Sequence, residues 1–219
     1  MRVLPILFNT DMVRAILDGR KTVTRRVVKG CNVRDDQEIN KNLAGKFELY
    51  NITERCGIPQ RVILNPLCRA GDILYVRETW NTNPLYDYGD EPNEYVYKVD
   101  YDGHAGDFGW KPSIHMPKEA ARIWLKVTDV RVERLKDITD EQAMKEGFSG
   151  IRCRCGGTAY ACADCYNSGW IEPPFVGFMY TWDSTIKKAD IDRYGWDTNP
   201  WVWVVEFERC EKPERNLYL

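Results

Sequence analysis

The stretch ILDGRKTVTRR, residues Ile16–Arg26, predicts the end of a helix, a turn and the start of a strand in direct succession. Apolar residues at helical spacing lead into it, and residues 9–11 offer N-caps, so we expect a short helix that ends near Asp18. Gly19 stands where a left-handed residue closes a helix. β-branched residues from Thr22 to Val28 then favour a strand. The lysine and the arginines of this stretch therefore lie at a rigid junction.

The composition is that of an ordinary globular protein. The chain has 219 residues, of which 43% are hydrophobic and 29% charged, with a formal net charge of −2. The near-neutral charge argues against a protein that coats nucleic acid by bulk electrostatics, so any such contact must be local. No apolar run reaches the roughly 18 residues of a membrane span. The N-terminal MRVLPILFNTD predicts a first strand rather than a secretion signal, so we expect a cytoplasmic protein that does not associate with membranes.

Alternating apolar residues predict further strands along the chain. The longest candidate is AARIWLKVTDVRVERL, residues 120–135, whose alternation shifts near Thr128 and predicts a bulge. The terminal segment NPWVWVVEFERC alternates strongly. Shorter strands are expected at Leu4–Phe8, Ile73–Arg77 and Glu94–Tyr101. About five to seven strands with a few short helices beside them predict an α+β fold, most simply a small closed or half-closed β-barrel.

Two later segments are typical of helices. Thr139 and Gln142 predict a capping box for a helix that Gly147 closes, and Pro174 opens the segment PFVGFMYTWDSTIKK. The regions between the clear elements are rich in glycine, proline and asparagine. We therefore expect a single domain over residues 1–219, with insertions at about 30–65, 81–118 and 150–170.

The third insertion contains four closely spaced cysteines: Cys153, Cys155, Cys162 and Cys165. Cysteines in a cytoplasmic protein indicate thiols or metal rather than disulfides. Two close pairs joined by a glycine-rich turn can supply the four thiolates of a tetrahedral zinc site. The first pair has one intervening residue where two to four are usual, so reduced, unligated thiols remain the alternative. A four-thiolate site is closed, and we expect the zinc to be structural.

The remaining cysteines and the histidines give weaker signals. The other cysteines are scattered, and each is interpreted as a small buried apolar residue: Cys31, Cys56, Cys68 and Cys210. The chain has two histidines, which argues against a histidine-rich catalytic metal site. One of them, His115, lies in the second insertion, where a binding role and simple loop packing both stay open.

The cations of the opening stretch have two interpretations. They form either a solvated charged face, as most charge runs do, or a binding site. An arginine can hold a phosphate or a base edge through two hydrogen bonds. Arg25 and Arg26 alternate along the predicted strand, so at most one of them should face a pocket. We favour Arg26, because it shares parity with Thr24.

The opening stretch resembles the first motif of the ASCH domain family. The resemblance continues in the same order through GDILYVRETW, ARIWLKVTDVRVERLKDITDEQAMKEGF and WVWVVEFE, and covers about half of the chain. It is particularly similar to the longer members found in phages and prophages, which also carry a cysteine-rich insertion. The resemblance implies a PUA-like β-barrel and association with RNA or modified nucleosides.

Some small bacterial members of this family are amidohydrolases that remove the acetyl group from N4-acetylcytidine with a lysine, a threonine and a glutamate. The matching motifs imply that the catalytic residues here are Lys21, Thr24 and Glu146. Thr24 would attack or position water, Lys21 would take its proton or hold the oxyanion, and Glu146 would carry a proton to the cytosine nitrogen. Lys21 and Thr24 share one pocket only if the chain still turns at Lys21.

Further substrate contacts are expected at Arg26, Arg25, Glu78 and His115. The leading hypothesis is thus a nucleoside-binding or RNA-binding ASCH protein with amidohydrolase activity on N4-acetylcytidine. The alternative is a non-catalytic RNA-binding module of phage or prophage origin, in which lysine and arginine hold phosphate and aromatic residues stack on bases. A third possibility is an interaction protein that uses the fold only as a scaffold. The sequence does not indicate an oligomeric state.

Overall fold

The computed structural model describes residues 1–29, 38–42, 45–52, 59–82, 95–101, 109–157, 162–166 and 168–213. Over these ranges the protein is mixed α+β, with a core made mostly of sheet and a few short helices. The predicted α+β class is therefore confirmed. Within the same ranges, no helix combines the length and apolar character that crossing a bilayer requires.

The elements are short apart from two long strands and one helix. The strands are β1 (Val3–Leu7), β2 (Val23–Val27), β3 (Glu38–Lys41), β4 (Phe47–Ile52), β5 (Pro59–Leu64), β6 (Ile73–Arg77), β7 (Trp80–Thr82), β8 (Tyr95–Tyr97), β9 (Trp124–Arg134), β10 (Ile151–Arg152), β11 (Trp170–Glu172) and β12 (Trp201–Cys210). The α-helices are α1 (Thr10–Leu17), α2 (Asp140–Lys145), α3 (Pro174–Thr185) and α4 (Ile191–Tyr194).

The largest sheet has five strands in the order β1-β6-β9-β12-β2. β1 runs parallel to β6, whereas β6 pairs with β9, and β12 with β2, in antiparallel register. β1 and β2 are the two edges of this sheet. Closing it into a barrel would require hydrogen bonds between these two edge strands, and none joins them. Of the two forms predicted from the sequence, a closed or a half-closed barrel, the closed one is therefore not formed by the described residues.

The chain divides into two compact units. The first comprises residues 1–22, 70–129 and 207–219, and the second comprises residues 23–69 and 130–206. Each unit is thus built from separate stretches of sequence. The long strands β9 and β12 contribute residues to both units.

In the first unit, α1 is capped at both ends as the sequence predicts. The side chain of Asn9 accepts the backbone N–H of Met12 at 2.9 Å. At the other end Gly19 adopts a φ of 74°, which a residue with a side chain rarely adopts. The backbone N–H of Lys21 donates to the carbonyl of Ala15 at 2.9 Å. The chain therefore leaves α1 in a fixed direction.

In the second unit, β2 and β12 pair so that Thr24 lies opposite Val205 and Arg26 opposite Trp203. The capping box of α2 predicted from Thr139 and Gln142 is present. Buried side chains from β2, β12, α2, α3 and the turn before α2 form one apolar cluster: Val23, Leu135, Ile138, Ala143, Phe178, Trp182, Val202 and Val204. This cluster packs the two helices onto the strands.

Three smaller sheets lie mostly within the expected insertions. β3, β4 and β5 form an antiparallel sheet within the first expected insertion. β7 pairs with β8 in the first unit, and β10 pairs with β11 at the base of the cysteine-rich segment in the second. Gly150 lies at that base, and an added Cβ there would come within 2.4 Å of the carbonyl oxygen of Glu172. Only glycine fits this close approach.

Candidate functional site

Lys21 lies in the first unit, directly after the cap of α1. The whole residue is only 2% exposed. Its Nζ lies 5.6 Å from the centre of the Phe8 ring, within the range of a cation–π contact. The carbonyl of the next residue, Thr22, accepts the N–H of Phe207 at 2.9 Å. Lys21 is therefore a buried lysine on an anchored backbone, unlike an ordinary surface lysine.

Thr24 is on β2 in the second unit and has no exposed surface. Its Oγ1 has no hydrogen-bond partner among the described residues. Most buried hydroxyl groups are hydrogen-bonded, and an unsatisfied one costs about 1–3 kcal/mol. The Thr24 hydroxyl is therefore a polar group whose hydrogen-bonding capacity the surrounding protein leaves unused.

Glu146 is the C-cap residue of α2 and is 3% exposed. Its Oε1 accepts a hydrogen bond from Nη1 of Arg25 at 3.2 Å. Gly147 follows with a φ of 100°, so the chain turns sharply after the carboxylate. The helix end thereby holds Glu146 beside β2.

Arg25 is enclosed in the second unit, with a side chain that is 0% exposed. Besides Glu146, its guanidinium contacts Glu133 Oε2 at 3.2 Å and Gln142 Oε1 at 2.9 Å through Nη2. The ring of Phe178 lies 5.9 Å from its central carbon. Two strands and two helices therefore converge on this one side chain.

Arg26 is half-buried, and its Nη1 donates to the carbonyl oxygen of Arg25 at 3.1 Å. Desolvation lowers the pKa of its guanidinium, and the negative charge of Glu146 acts in the opposite direction. Arginine stays protonated at neutral pH despite such shifts. Arg26 therefore remains a cation. Two positions separate it from Thr24 on β2, so both residues belong to the same side of the strand, as the sequence predicts.

Glu78 is buried in the first unit and paired there with Arg122. The two side chains form a bidentate contact, with Nε to Oε1 at 3.0 Å and Nη2 to Oε2 at 3.1 Å. Burial raises the pKa of Glu78, and the hydrogen bonds from Arg122 act against this rise. Arg122 also pairs with Asp100 and lies 3.9 Å from the centre of the Tyr97 ring. Both oxygens of Glu78 are therefore already occupied by a guanidinium.

His115 is exposed in the first unit, in a short turn where its N–H donates to the carbonyl of Pro112 at 3.0 Å. Of the predicted site residues, Arg25, Arg26 and Glu146 are brought together, and all three belong to the second unit with Thr24.

Sequence reasoning missed the partners that complete this arrangement. Glu133 bridges two arginines, because Arg131 Nε also donates to its Oε1 at 2.5 Å. Gln142 was recognised as a capping residue only, although its side chain also contacts Arg25. No sequence signal singles out Glu133, because β9 also contains Lys126, Asp129, Arg131 and Arg134.

The four clustered cysteines form a candidate metal centre in the second unit. Their Sγ atoms all lie within 4.8 Å of one another. The separations of 3.7 Å between Cys153 and Cys162 and 3.3 Å between Cys155 and Cys165 are close to the sulfur–sulfur distance of about 3.8 Å in a tetrahedral zinc site. The prediction that these residues can hold a metal ion is confirmed.

The thiols of this cluster shift one another's pKa in opposite directions, because the pKa values of Cys153 and Cys165 are raised and that of Cys155 is lowered. The N–H of Gly157 donates to Cys155 Sγ at 3.3 Å. This hydrogen bond, together with those from the neighbouring thiols, lowers the pKa of Cys155 to about 6. Gly156 and Gly157 adopt φ values of 62° and 84°, which turn the chain back after the first pair. A thiolate close to three other sulfurs suits a soft divalent metal.

The scattered cysteines behave differently. Cys68 is buried, as predicted, and Cys210 is half-buried. Cys31 and Cys56 lie outside the described residues.

Comparison with known proteins gives no relative on which to base a function. No protein-family model matches the chain, and no characterised protein or solved structure is significantly similar to it.

Proposed function

We propose that this chain is an ASCH-domain protein with a PUA-like fold that binds a nucleoside and removes the acetyl group from N4-acetylcytidine. The observation that carries this proposal is the burial of the three polar residues of the matching motifs, Lys21, Thr24 and Glu146, at 2%, 0% and 3% exposure. Polar side chains are seldom buried this completely without a partner or a function. Thr24 in particular has an unsatisfied hydroxyl.

The chemistry is the hydrolysis of an amide. Water adds to the acetyl carbonyl, the bond between that carbon and N4 breaks, and acetate and cytidine leave. Thr24 either orients this water or itself attacks the carbonyl carbon, in which case water afterwards hydrolyses the acetyl-threonine ester. Lys21 takes the proton of the attacking hydroxyl group or stabilises the oxyanion. Glu146 passes the proton released by the nucleophile to N4, without which the amine is a poor leaving group.

Substrate binding is assigned to the other candidate residues from the sequence. Arg26 is the best candidate, because it is half-buried, cationic and on the same side of β2 as Thr24. Glu78 and His115 are weaker candidates, since Glu78 is already paired with Arg122 and His115 is exposed. The substrate is a modified nucleoside, either free or within RNA, and the proposed location is the cytoplasm.

We also propose that the metal held by the cysteine cluster is zinc, with a structural role. Four thiolates complete a tetrahedral shell and leave no position open for substrate, so the metal would not take part in the hydrolysis. The residues that would hold it are Cys153, Cys155, Cys162 and Cys165. When bound, zinc contributes folding free energy to a segment too small to bury a core of its own.

The test is chromatographic, with N4-acetylcytidine and N4-acetylcytosine as substrates and cytidine as the unreactive control. Lys21→Ala, Thr24→Val and Glu146→Gln should each lower kcat/KM by at least about 100-fold. Each has a matched control at an exposed residue of the same type: Lys29→Ala, Thr22→Val and Glu141→Gln.

Turnover that is lost in the three variants and kept in the three controls would support the proposal. Absence of turnover by the unaltered protein at high concentration would contradict it. RNA binding with a steep salt dependence would then favour the non-catalytic RNA-binding module, in which the same cations hold phosphate.

A further inference from the structure

We propose that Arg25 is a positioning residue, which fixes the carboxylate of Glu146 and does not itself contact substrate. This inference rests on the proposed function, because Glu146 is the group that it positions. It replaces the expectation, drawn from the sequence, that Arg25 is a substrate contact.

Both Nη atoms of Arg25 are committed to protein groups. Nη1 donates to Glu146, and Nη2 donates to both Glu133 and Gln142, at distances of 2.9–3.2 Å. Nε is buried and has no partner among the described residues. The side chain has no exposed surface, and Phe178 covers its guanidinium. A substrate would have to displace existing hydrogen bonds to reach either Nη atom.

The contact with Gln142 fixes the helix that carries Glu146. Gln142 Oε1 accepts from Arg25 and also from the backbone N–H of Thr139 at 3.2 Å, as part of the capping box. Arg25 therefore binds Gln142 in the first turn of α2 and also Glu146, the residue that ends this helix. A guanidinium with fixed fork geometry can hold both ends of so short a helix at once.

The charges around Arg25 alternate in sign. Glu133 accepts from Arg25 and from Arg131, and Arg131 also donates to Glu206 Oε1 at 2.5 Å. Glu146 thus lies at one end of a chain of ion pairs that crosses β2, β9 and β12. Removing Arg25 would take from Glu133 and Glu146 the cation that they share, and a buried carboxylate that loses its cation is destabilising.

Lysine cannot replace these contacts. Its ammonium group is a single point charge on a flexible stem, so it can bind one carboxylate but not two carboxylates and an amide with fixed angles. In Arg25→Lys the charge is kept and the orientation of Glu146 is lost. The variant therefore separates the positioning role from simple charge neutralisation.

The experiment measures kcat and KM for N4-acetylcytidine in Arg25→Lys, with Arg209→Lys as the matched control on an exposed strand position. We expect kcat to fall by about 10-fold to 100-fold, because small displacements of a catalytic group are costly, while KM changes by less than about twofold. A rise in KM at constant kcat would overturn the inference, since it would indicate direct substrate contact. Unchanged kcat and KM would overturn it as well.

A second measurement does not depend on activity. The double variant of Arg25→Lys and Glu146→Gln should lose less in melting temperature than the sum of the losses in the two single variants. The reason is that each substitution removes the same hydrogen bond. Additive losses would overturn the inference whether or not the protein is an enzyme. Less-than-additive losses in a protein without deacetylase activity would instead refute the proposed function alone.

Should Arg25→Lys fail to fold, Glu133→Gln provides the same test in milder form. It keeps the shape of the side chain and removes one of the two charges that hold Arg25. We expect a smaller fall in kcat than in Arg25→Lys, again without a change in KM. An unaltered kcat in a folded Glu133→Gln variant would overturn the inference.

Discussion

Thr139 and Arg25 donate to the same oxygen, Oε1 of Gln142, at 3.2 Å and 2.9 Å. The cap of a six-residue helix is thereby joined to a buried strand residue. We expect Thr139→Ala to lower the free energy of unfolding by about 1 kcal/mol, the usual cost of a lost N-cap. Chemical denaturation measures this, with exposed Ser149→Ala as the control. A loss no larger than in the control would show that the cap does not stabilise α2.

The unsatisfied hydroxyl of Thr24 leads to an unusual pair of effects. Thr24→Val replaces this hydroxyl by a methyl group of similar size, and we expect the free energy of unfolding to rise by about 1 kcal/mol because no hydrogen bond within the protein is lost. The same variant should lose deacetylase activity. A functional residue commonly has such a cost in stability. Destabilisation by Thr24→Val would mean that its hydroxyl is bonded within the protein.

Removal of the metal should unfold the cysteine-rich segment. We expect about one equivalent of zinc in protein purified without chelator, and a lower melting temperature after chelation. Cys165→Ser should lose the metal, whereas Cys210→Ser, outside the cluster, should keep it. Less than about half an equivalent by elemental analysis would count against coordination by four thiolates.

Tyr97 should make stability depend on pH in the alkaline range. Its hydroxyl donates to the carbonyl of Ala120 at 2.6 Å, and burial raises its pKa from 10.0 to about 12. The folded state therefore holds this proton more tightly than the unfolded state. The resulting stabilisation is complete below pH 10 and is lost as the pH rises to about 12.

The difference in unfolding free energy between the unaltered protein and Tyr97→Phe measures this effect as a function of pH. The advantage of the unaltered protein should shrink as the pH rises from 10 towards 12. Tyr180→Phe is the control, since Tyr180 is 70% exposed. A difference that stays constant over this range would contradict the raised pKa.

Local sequence patterns predicted those parts of the fold that depend on local interactions. The capping box at Thr139 and the left-handed Gly19 both follow from neighbouring residues, and both are present. The spacing of the cysteines likewise predicted a cluster that can hold a metal. In contrast, the sheet of β3, β4 and β5 was predicted only as an insertion, because its irregular, glycine-containing sequence hides the alternation of apolar residues.

The contacts within the candidate site could not be predicted from local sequence patterns. Arg25 and Glu146 are separated by 121 positions in the chain, and no periodicity relates them. Strand parity puts Arg26 on the side of Thr24, but it gives no indication of which residues surround Arg25. Those neighbours come from α2, α3 and β9, whose packing depends on tertiary structure.

The division of the chain also has a consequence for how the protein folds during synthesis. The first unit contains residues 1–22 and residues 207–219, and the hydrogen bond from Phe207 to Thr22 joins these distant segments. While the ribosome is still translating the middle of the message, β1 and α1 have emerged but the last stretch of their own unit does not yet exist. Contacts of such high sequence separation form late, so we expect slow folding and a nascent chain that needs protection from aggregation until β12 is complete.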